Sequence, residues 1–392
     1  MIGALATVWL ARASAPQLAI SVLGIWTVLG LLTLTDFGLT RTASKLAASG
    51  ISPLVVSRTL RSASVIAGTA TTAVLAAGLT LVGADAFFWL LLVLPVLATL
   101  QFPLVGALEA QGAFGVVAGL KTLNAVVVYA VPTAIVILIP TRVGLALAVL
   151  AIIVGRVTLF LLLAASVSRY RPATQREGLG RREHFRVDKA YLWIALSSLL
   201  GPALLYADRL ALTIGGVPDN VWISYVALSE LLMKTYILPS SVMAVVFPWL
   251  VRNMQTEIRR IRSWYAWRLP AVTLAFAVPV ACLTVLLPDA LFDILGIDAF
   301  AGDLRAVALA LGASTVINWS SQAYIGLLQA THFEFAPALV QFALAVPYAI
   351  VLVAAAASGS VVLVAFAVFA RVLVTWATLV LVAARVLRGS AP

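Results

Sequence analysis

Two arginines stand near the middle of long apolar runs, in Gly155-Arg156-Val157 and in Ala370-Arg371-Val372. An ionisable group at the centre of a membrane helix costs about 2.5–3.5 kcal/mol on insertion scales, so such residues normally face a bundle interior. Arginine presents a planar fork of donors suited to anionic oxygens, which makes the two a candidate anion-holding pair. The bland reading is that each pairs with a carboxylate or a backbone carbonyl and only pins its helices together. Asp208 and Arg209 are adjacent, point in different directions on a helix, and therefore each need another partner. Glu230 and Lys234 stand four apart with the acid first, the favourable order for an intrahelical pair. Asp208, Glu230 and Lys234 are the candidates for ion coupling, because functional sites gather perturbed ionisable groups. Asn318, Ser320, Ser321 and Gln322 form a polar band that could hydrogen-bond a polar cargo or glue helices together in lipid. Lys121 lies close enough to the end of its run for its stem to reach the headgroups. Cys282 is the single cysteine, His184 and His332 lie far apart, and no spacing in the sequence matches a metal site.

These residues need helices that cross a bilayer to position them. Of the 392 residues, 63% are hydrophobic and only 10% are charged, which excludes a water-soluble core-and-surface arrangement. Apolar runs fall near 18–35, 63–83, 86–106, 114–139, 143–168, 190–215, 221–250, 269–287, 305–328, 336–357 and 360–385, and each span needs roughly 20 residues. Charge sorts by loop. The linker 169–189 holds seven basic and three acidic residues, and the loop 252–268 holds five arginines against Glu257. The segment 289–305 instead holds Asp289, Asp293, Asp298 and Asp303 against one arginine. By the positive-inside rule the basic loops are cytoplasmic and the acidic ones outside. The net charge of +11 is thus a topology signal and not a nucleic-acid footprint.

The two central arginines sit in corresponding late helices, and Pro16 and Pro218 precede similar runs, so the chain reads as two halves of the kind common in transporters. The expected organisation is an N-terminal transmembrane lobe at 1–168, a basic cytoplasmic linker at 169–189 and a C-terminal lobe at 190–392. The stretch before Pro16 is shorter than its counterpart before Pro218. Met1 is therefore expected to start inside a transmembrane helix.

Several segments carry a resemblance. Thr35-Asp36-Phe37-Gly38-Leu39 continues through Arg41 and Lys45, and Leu108-Glu109-Ala110-Gln111-Gly112 forms a short turn between runs. Tyr206-Ala207-Asp208-Arg209-Leu210, the stretch Tyr225 to Lys234, and Val246-Phe247-Pro248-Trp249-Leu250 follow in order. Together they resemble the bacterial polysaccharide transporters, the O-antigen and lipid-linked oligosaccharide flippases of the MOP superfamily. The resemblance implies an all-α integral membrane protein with about twelve transmembrane helices, the first short, in two six-helix lobes around a central cavity. It implies alternating-access export of a glycan on a polyprenyl pyrophosphate carrier to the outer leaflet, in the inner membrane of a bacterium. Arg156, Arg371, Arg209, Lys45, Arg41, Gln322 and Asn318 are then the expected substrate contacts. Membrane lipid and other polysaccharide-assembly proteins are the expected further partners, with no cofactor and no nucleic acid. The alternative is a multidrug or toxin extruder of the same superfamily, and a membrane-embedded glycan polymerase or glycosyltransferase comes third. No catalytic constellation is visible, so a transporter is expected and not an enzyme.

The loop charges generate a direct test. In a Cys282→Ala background, single cysteines at Arg176 and Arg260 should label only from the cytoplasm and one at Asp293 only from outside. Labelling of position 293 from the inside would reverse the orientation of the second half.

Overall fold

In hydrocarbon no water satisfies the backbone, so a spanning segment must make its own hydrogen bonds. A computed structural model describes residues 25, 36–81, 86–169, 189–254, 256–286 and 303–389, and every regular element among them is helical. The helices are α1 Leu39–Ala48, α2 Pro53–Leu81, α3 Leu94–Ala110, α4 Phe114–Ala125, α5 Val131–Leu138, α6 Arg142–Arg169 and α7 Lys189–Ile214. They continue with α8 Asp219–Lys234, α9 Ile237–Asn253, α10 Ile258–Ser263, α11 Leu269–Ala281, α12 Asp303–Ala330, α13 Phe335–Ala357 and α14 Val361–Gly389. A 3-10 stretch, Ala86–Val93, leads into α3. Wider π turns, Val126–Ala130 and Trp264–Arg268, join α4 to α5 and α10 to α11. Both π turns stand immediately before a helix with a proline in its first turn, Pro132 and Pro270. A proline has no N–H to offer the preceding turn, so the regular ladder is interrupted there.

Among the described residues, eight helical stretches are long and apolar enough to cross a membrane. The chain is therefore a multi-pass membrane protein. The long α12 is more polar and largely buried by its neighbours, with Leu311, Ser314, Trp319 and Leu327 all inside. The run expected as one span at 221–250 is two helices, α8 and α9. The amides of Thr235 and Tyr236 turn back to the carbonyls of Leu232 and Met233. Pro239, in the first turn of α9, cannot bond back to Thr235. The expectations about the first apolar stretch and about Met1 fall outside the described residues, as do the linker 170–188 and the aspartates at 289, 293 and 298.

The chain divides into two compact units, Met1–Leu199 and Leu200–Pro392. That boundary lies inside α7, whereas the loop charges place the linker ahead of it. In unit 1, α3 is central and packs on α1, α2 and α6. Leu39, Ala43 and Ala47 of α1 meet Ala107 and Ala110 of α3, and Tyr191 from the first turn of α7 joins the same cluster. In unit 2, α12 is central and packs on α14, α9, α11 and α8. Small residues such as Ala308, Ala365 and Ala367 let these helices approach closely.

The Asp36-Phe37-Gly38 segment explains how α7 joins unit 1. Phe37 and Gly38 both have positive φ, 43° and 69°, which makes a tight entry to α1. Asp36 Oδ1 accepts from the amide of Thr40 at 2.9 Å and from its hydroxyl at 3.0 Å, satisfying an orphan donor of the first turn. A Cβ at Gly38 would stand 2.5 Å from Ile194 Cγ2 and 3.0 Å from the Ile194 carbonyl carbon. Glycine thus permits both the left-handed backbone and the close approach of α7.

Gly38→Ala should destabilise the protein by at least the roughly 1–2 kcal/mol of a left-handed alanine, with the clash added. Thermal unfolding in detergent measures this. Ile194→Ala should restore part of the loss, and a melting temperature equal to wild type would contradict the account.

Candidate functional site

Arg156 lies in the middle of α6, and its position follows from close packing. A Cβ at the preceding Gly155 would stand 1.9 Å from Val127 Cγ1, so only glycine lets the π turn Val126–Ala130 rest on α6 here. Arg156 then borders a cavity of about 320 Å³ inside unit 1. Thr40 of α1, Gln101 of α3, Lys121 and Asn124 of α4 and Arg156 of α6 supply its polar lining, and Ala98, Phe102, Val105 and Leu159 supply apolar walls. Gln101 Nε2 donates to the Arg156 carbonyl at 3.0 Å, tying α3 to α6 beside the guanidinium. The buried Nε of Arg156 and the buried Oδ1 of Asn124 have no hydrogen-bond partner among the described residues. No carboxylate of the described residues forms an ion pair with Arg156.

Lys121 was expected to reach out to headgroups. Its Nζ donates to the buried Glu109 Oε1 at 2.9 Å across the turn between α3 and α4. The sequence signal for this pair was the short Leu108-Gly112 turn, which folds the two helices back on each other. A buried carboxylate without a cation is costly, and Lys121 meets Glu109 while its own side chain stays 62% exposed. Sequence reasoning missed Gln101, Glu109 and Asn124, because single polar residues in apolar runs are usually helix glue.

Arg41 and Lys45 lie on α1, both partly buried and both engaged in interactions of their own. They are not among the residues lining the Arg156 cavity.

Unit 2 gathers a different set. Asp208 is 2% exposed and its Oδ2 accepts from the Tyr225 hydroxyl at 2.5 Å. Arg209 turns the other way, with Nη2 donating to Ser229 Oγ at 3.2 Å and its guanidinium 4.5 Å from the Tyr206 ring centre. The two neighbours thus find separate partners, as their directions on a helix demand. The buried Nε of Arg371 has no hydrogen-bond partner among the described residues, and its guanidinium lies over the Tyr348 ring at 5.0 Å. Arg371 also forms no ion pair with the described carboxylates. A small space of about 20 Å³ is lined by Asp208, Ser229, Tyr236, Ser314 and Thr315. The polar band of α12 splits between helices. Asn318 Nδ2 donates to the Tyr236 hydroxyl, and Ser320 Oγ accepts from Trp376 Nε1 of α14 at 3.0 Å. Gln322 is partly buried and has a partner of its own. The side chains of Glu230 and Lys234 lie outside the described residues. Asp208, Arg209, Asn318 and Arg371 therefore belong to one unit, while Arg41, Lys45 and Arg156 belong to the other.

No protein-family model and no curated protein matches the chain. Solved structures do. A MOP superfamily transporter from Pyrococcus furiosus aligns over 98% of this chain and 91% of its own, at 14% identity and a TM-score of 0.75. A MATE transporter in its bent conformation aligns over 100% and 93%, at 16% identity and 0.73. The Vibrio cholerae MATE transporter VcmN in the bent form aligns over 99% and 93%, at 14% identity and 0.70. At these identities the likeness speaks for the fold: the chain has the all-helical, multi-pass membrane fold of MATE and other MOP superfamily transporters.

Proposed function

We propose that this protein exports amphipathic solutes that carry an anionic group, across the cytoplasmic membrane of a bacterium. The observation that carries the reading is Arg156, a half-buried guanidinium on a partly open cavity with its Nε unpartnered among the described residues and no described carboxylate paired with it. A cation at membrane depth is costly unless something compensates it. An anionic group of a bound solute supplies that compensation and takes up the orphan donor. The apolar walls of Phe102, Val105 and Leu159 suit the rest of an amphipathic molecule. The volume of about 320 Å³ suits a small solute and is at the low end for ligand pockets.

The transporter fold and its multidrug-resistance MATE relatives favour an extruder over the lipid-linked glycan flippase. Cationic drugs, however, would meet an arginine in this cavity where they need a carboxylate. The Pyrococcus furiosus protein is described as having a binding pocket of reverse polarity that suggests a different function, and the cavity here is cationic. A second reading retains the flippase of polyprenyl-pyrophosphate-linked oligosaccharide. Arg371 favours it, because its buried Nε has no hydrogen-bond partner among the described residues and a guanidinium suits phosphate oxygens. In that reading Arg209, Asn318 and Gln322 contact the glycan, and Asp208, Glu230 and Lys234 couple the driving ion.

Proteoliposomes that load anionic, cationic or neutral fluorescent amphiphiles test the proposal. Arg156→Gln should lower transport of the anionic probe about tenfold or more, the scale of one lost charge-assisted hydrogen bond, while folded yield stays near wild type. Arg156→Lys should recover part of the rate, because it keeps the charge but not the fork. Unchanged anionic transport in Arg156→Gln would overturn the reading. Lost glycan export in cells with Arg371→Gln, alongside intact small-solute transport, would establish the flippase instead.

A further inference from the structure

The arginines that the fold gathers at one end of unit 2 form a surface that the transport reading does not use. In α10 and the turn after it, Ile261, Tyr265 and Leu269 point into the core beside Leu327, Ala383 and Leu387. This fixes the opposite face outward, where Arg259, Arg262 and Trp267 are exposed, Trp267 at 78%. Arg262 Nη2 donates to the Leu387 carbonyl in the last turn of α14. That bond holds α10 against the helix end that carries Arg385 and Arg388, both exposed. Glu257 is the one acid between Asn253 and Leu269, and Arg260 occupies it at 2.9 Å. Arg259, Arg268, Arg385 and Arg388 have no hydrogen-bond or ion-pair partner among the described residues.

Each basic cluster ends an apolar stripe. Along α11 the exposed face runs from Trp267 to Leu274 and Val278, at 68% and 55% exposure. These positions recur at the spacing of one helix face. Along α14, Val374 and Leu381 are exposed on the face that ends in Arg385 and Arg388. A molecule with a phosphate head and long acyl tails fits both parts at once. Tryptophan with basic residues at the ends of apolar stripes is the pattern of a membrane–water boundary, and clustered arginines there recognise anionic lipid heads.

We propose that this end of unit 2 is a binding site for an anionic membrane phospholipid, with its phosphate held by Arg259, Arg268 and Arg388 and its tails along Leu274 and Val278. Arg262 is the positioning residue, since its donors are spent on the Leu387 carbonyl. The site is separate from the Arg156 cavity of unit 1, so it stands or falls independently of the cargo.

The test titrates the detergent-purified full chain with phosphatidylglycerol or cardiolipin and with phosphatidylcholine, reading bound lipid by native mass spectrometry and stability by thermal unfolding. The anionic lipids should bind and raise the melting temperature, and phosphatidylcholine should do neither. Arg259→Gln and Arg388→Gln should each weaken anionic-lipid binding about fivefold, from the contribution of one basic residue at a charged surface. Arg142→Gln, on an exposed arginine of unit 1, should leave it unchanged. Equal lipid binding by the Arg259/Arg388 double variant would overturn the proposal. So would an equal stabilisation by inorganic phosphate at the same concentration, which would make this a soluble-anion site.

Discussion

A guanidinium in hydrocarbon has five donors and no water to satisfy them, and this constraint organises the first unit. Arg156 is brought to its depth by α6, a 28-residue helix with no acidic residue in it. The packing that makes room beside it depends on Gly155 accepting Val127 at a distance that a methyl group would forbid. Gln101 then ties α3 to the carbonyl of the same residue. The Nε of Arg156 and the Oδ1 of Asn124 on the same cavity stay unpartnered among the described residues.

Several other polar residues meet a partner on a neighbouring turn or helix. Asp36 satisfies the first turn of α1, Glu109 holds Lys121, Asn318 holds Tyr236, and Ser320 receives Trp376. Each is a short-range contact in which one polar group meets another, the usual way that membrane helices settle polar side chains. Asp208 belongs with these, since its Oδ2 accepts from Tyr225 and its Oδ1 from the Arg209 amide. Arg156 and Arg371, one in each unit, each keep a buried Nε without a hydrogen-bond partner among the described residues.

The units also show why a loop and a packing boundary differ. Charge in the 169–189 linker reports which side of the membrane a loop occupies, because that is fixed by insertion. Where α7 packs is fixed by shape. Gly38 allows Ile194 to sit against the α1 entry, and Tyr191 enters the α1–α3 cluster, so the first turns of α7 join unit 1.

The sequence by itself determined that the chain is helical and crosses a membrane many times, because apolar length and backbone hydrogen bonding leave no other form in lipid. It also singled out Arg156, Arg371, Asp208 and Arg209, since an ionisable residue stands out against an apolar run without any knowledge of its neighbours. Tertiary structure alone decided what each one meets. The break between α8 and α9 lay hidden in a continuous apolar stretch, where Pro239 matters only once its missing donor is placed in a turn. Lys121 pairs with Glu109 because a helix turn brings the two within 2.9 Å, a distance that twelve residues of sequence separation do not reveal. Gln101 and Asn124 became part of a cavity for the same reason: enclosure is a property of three or four helices together, and one helix's pattern records only which of its own faces is apolar.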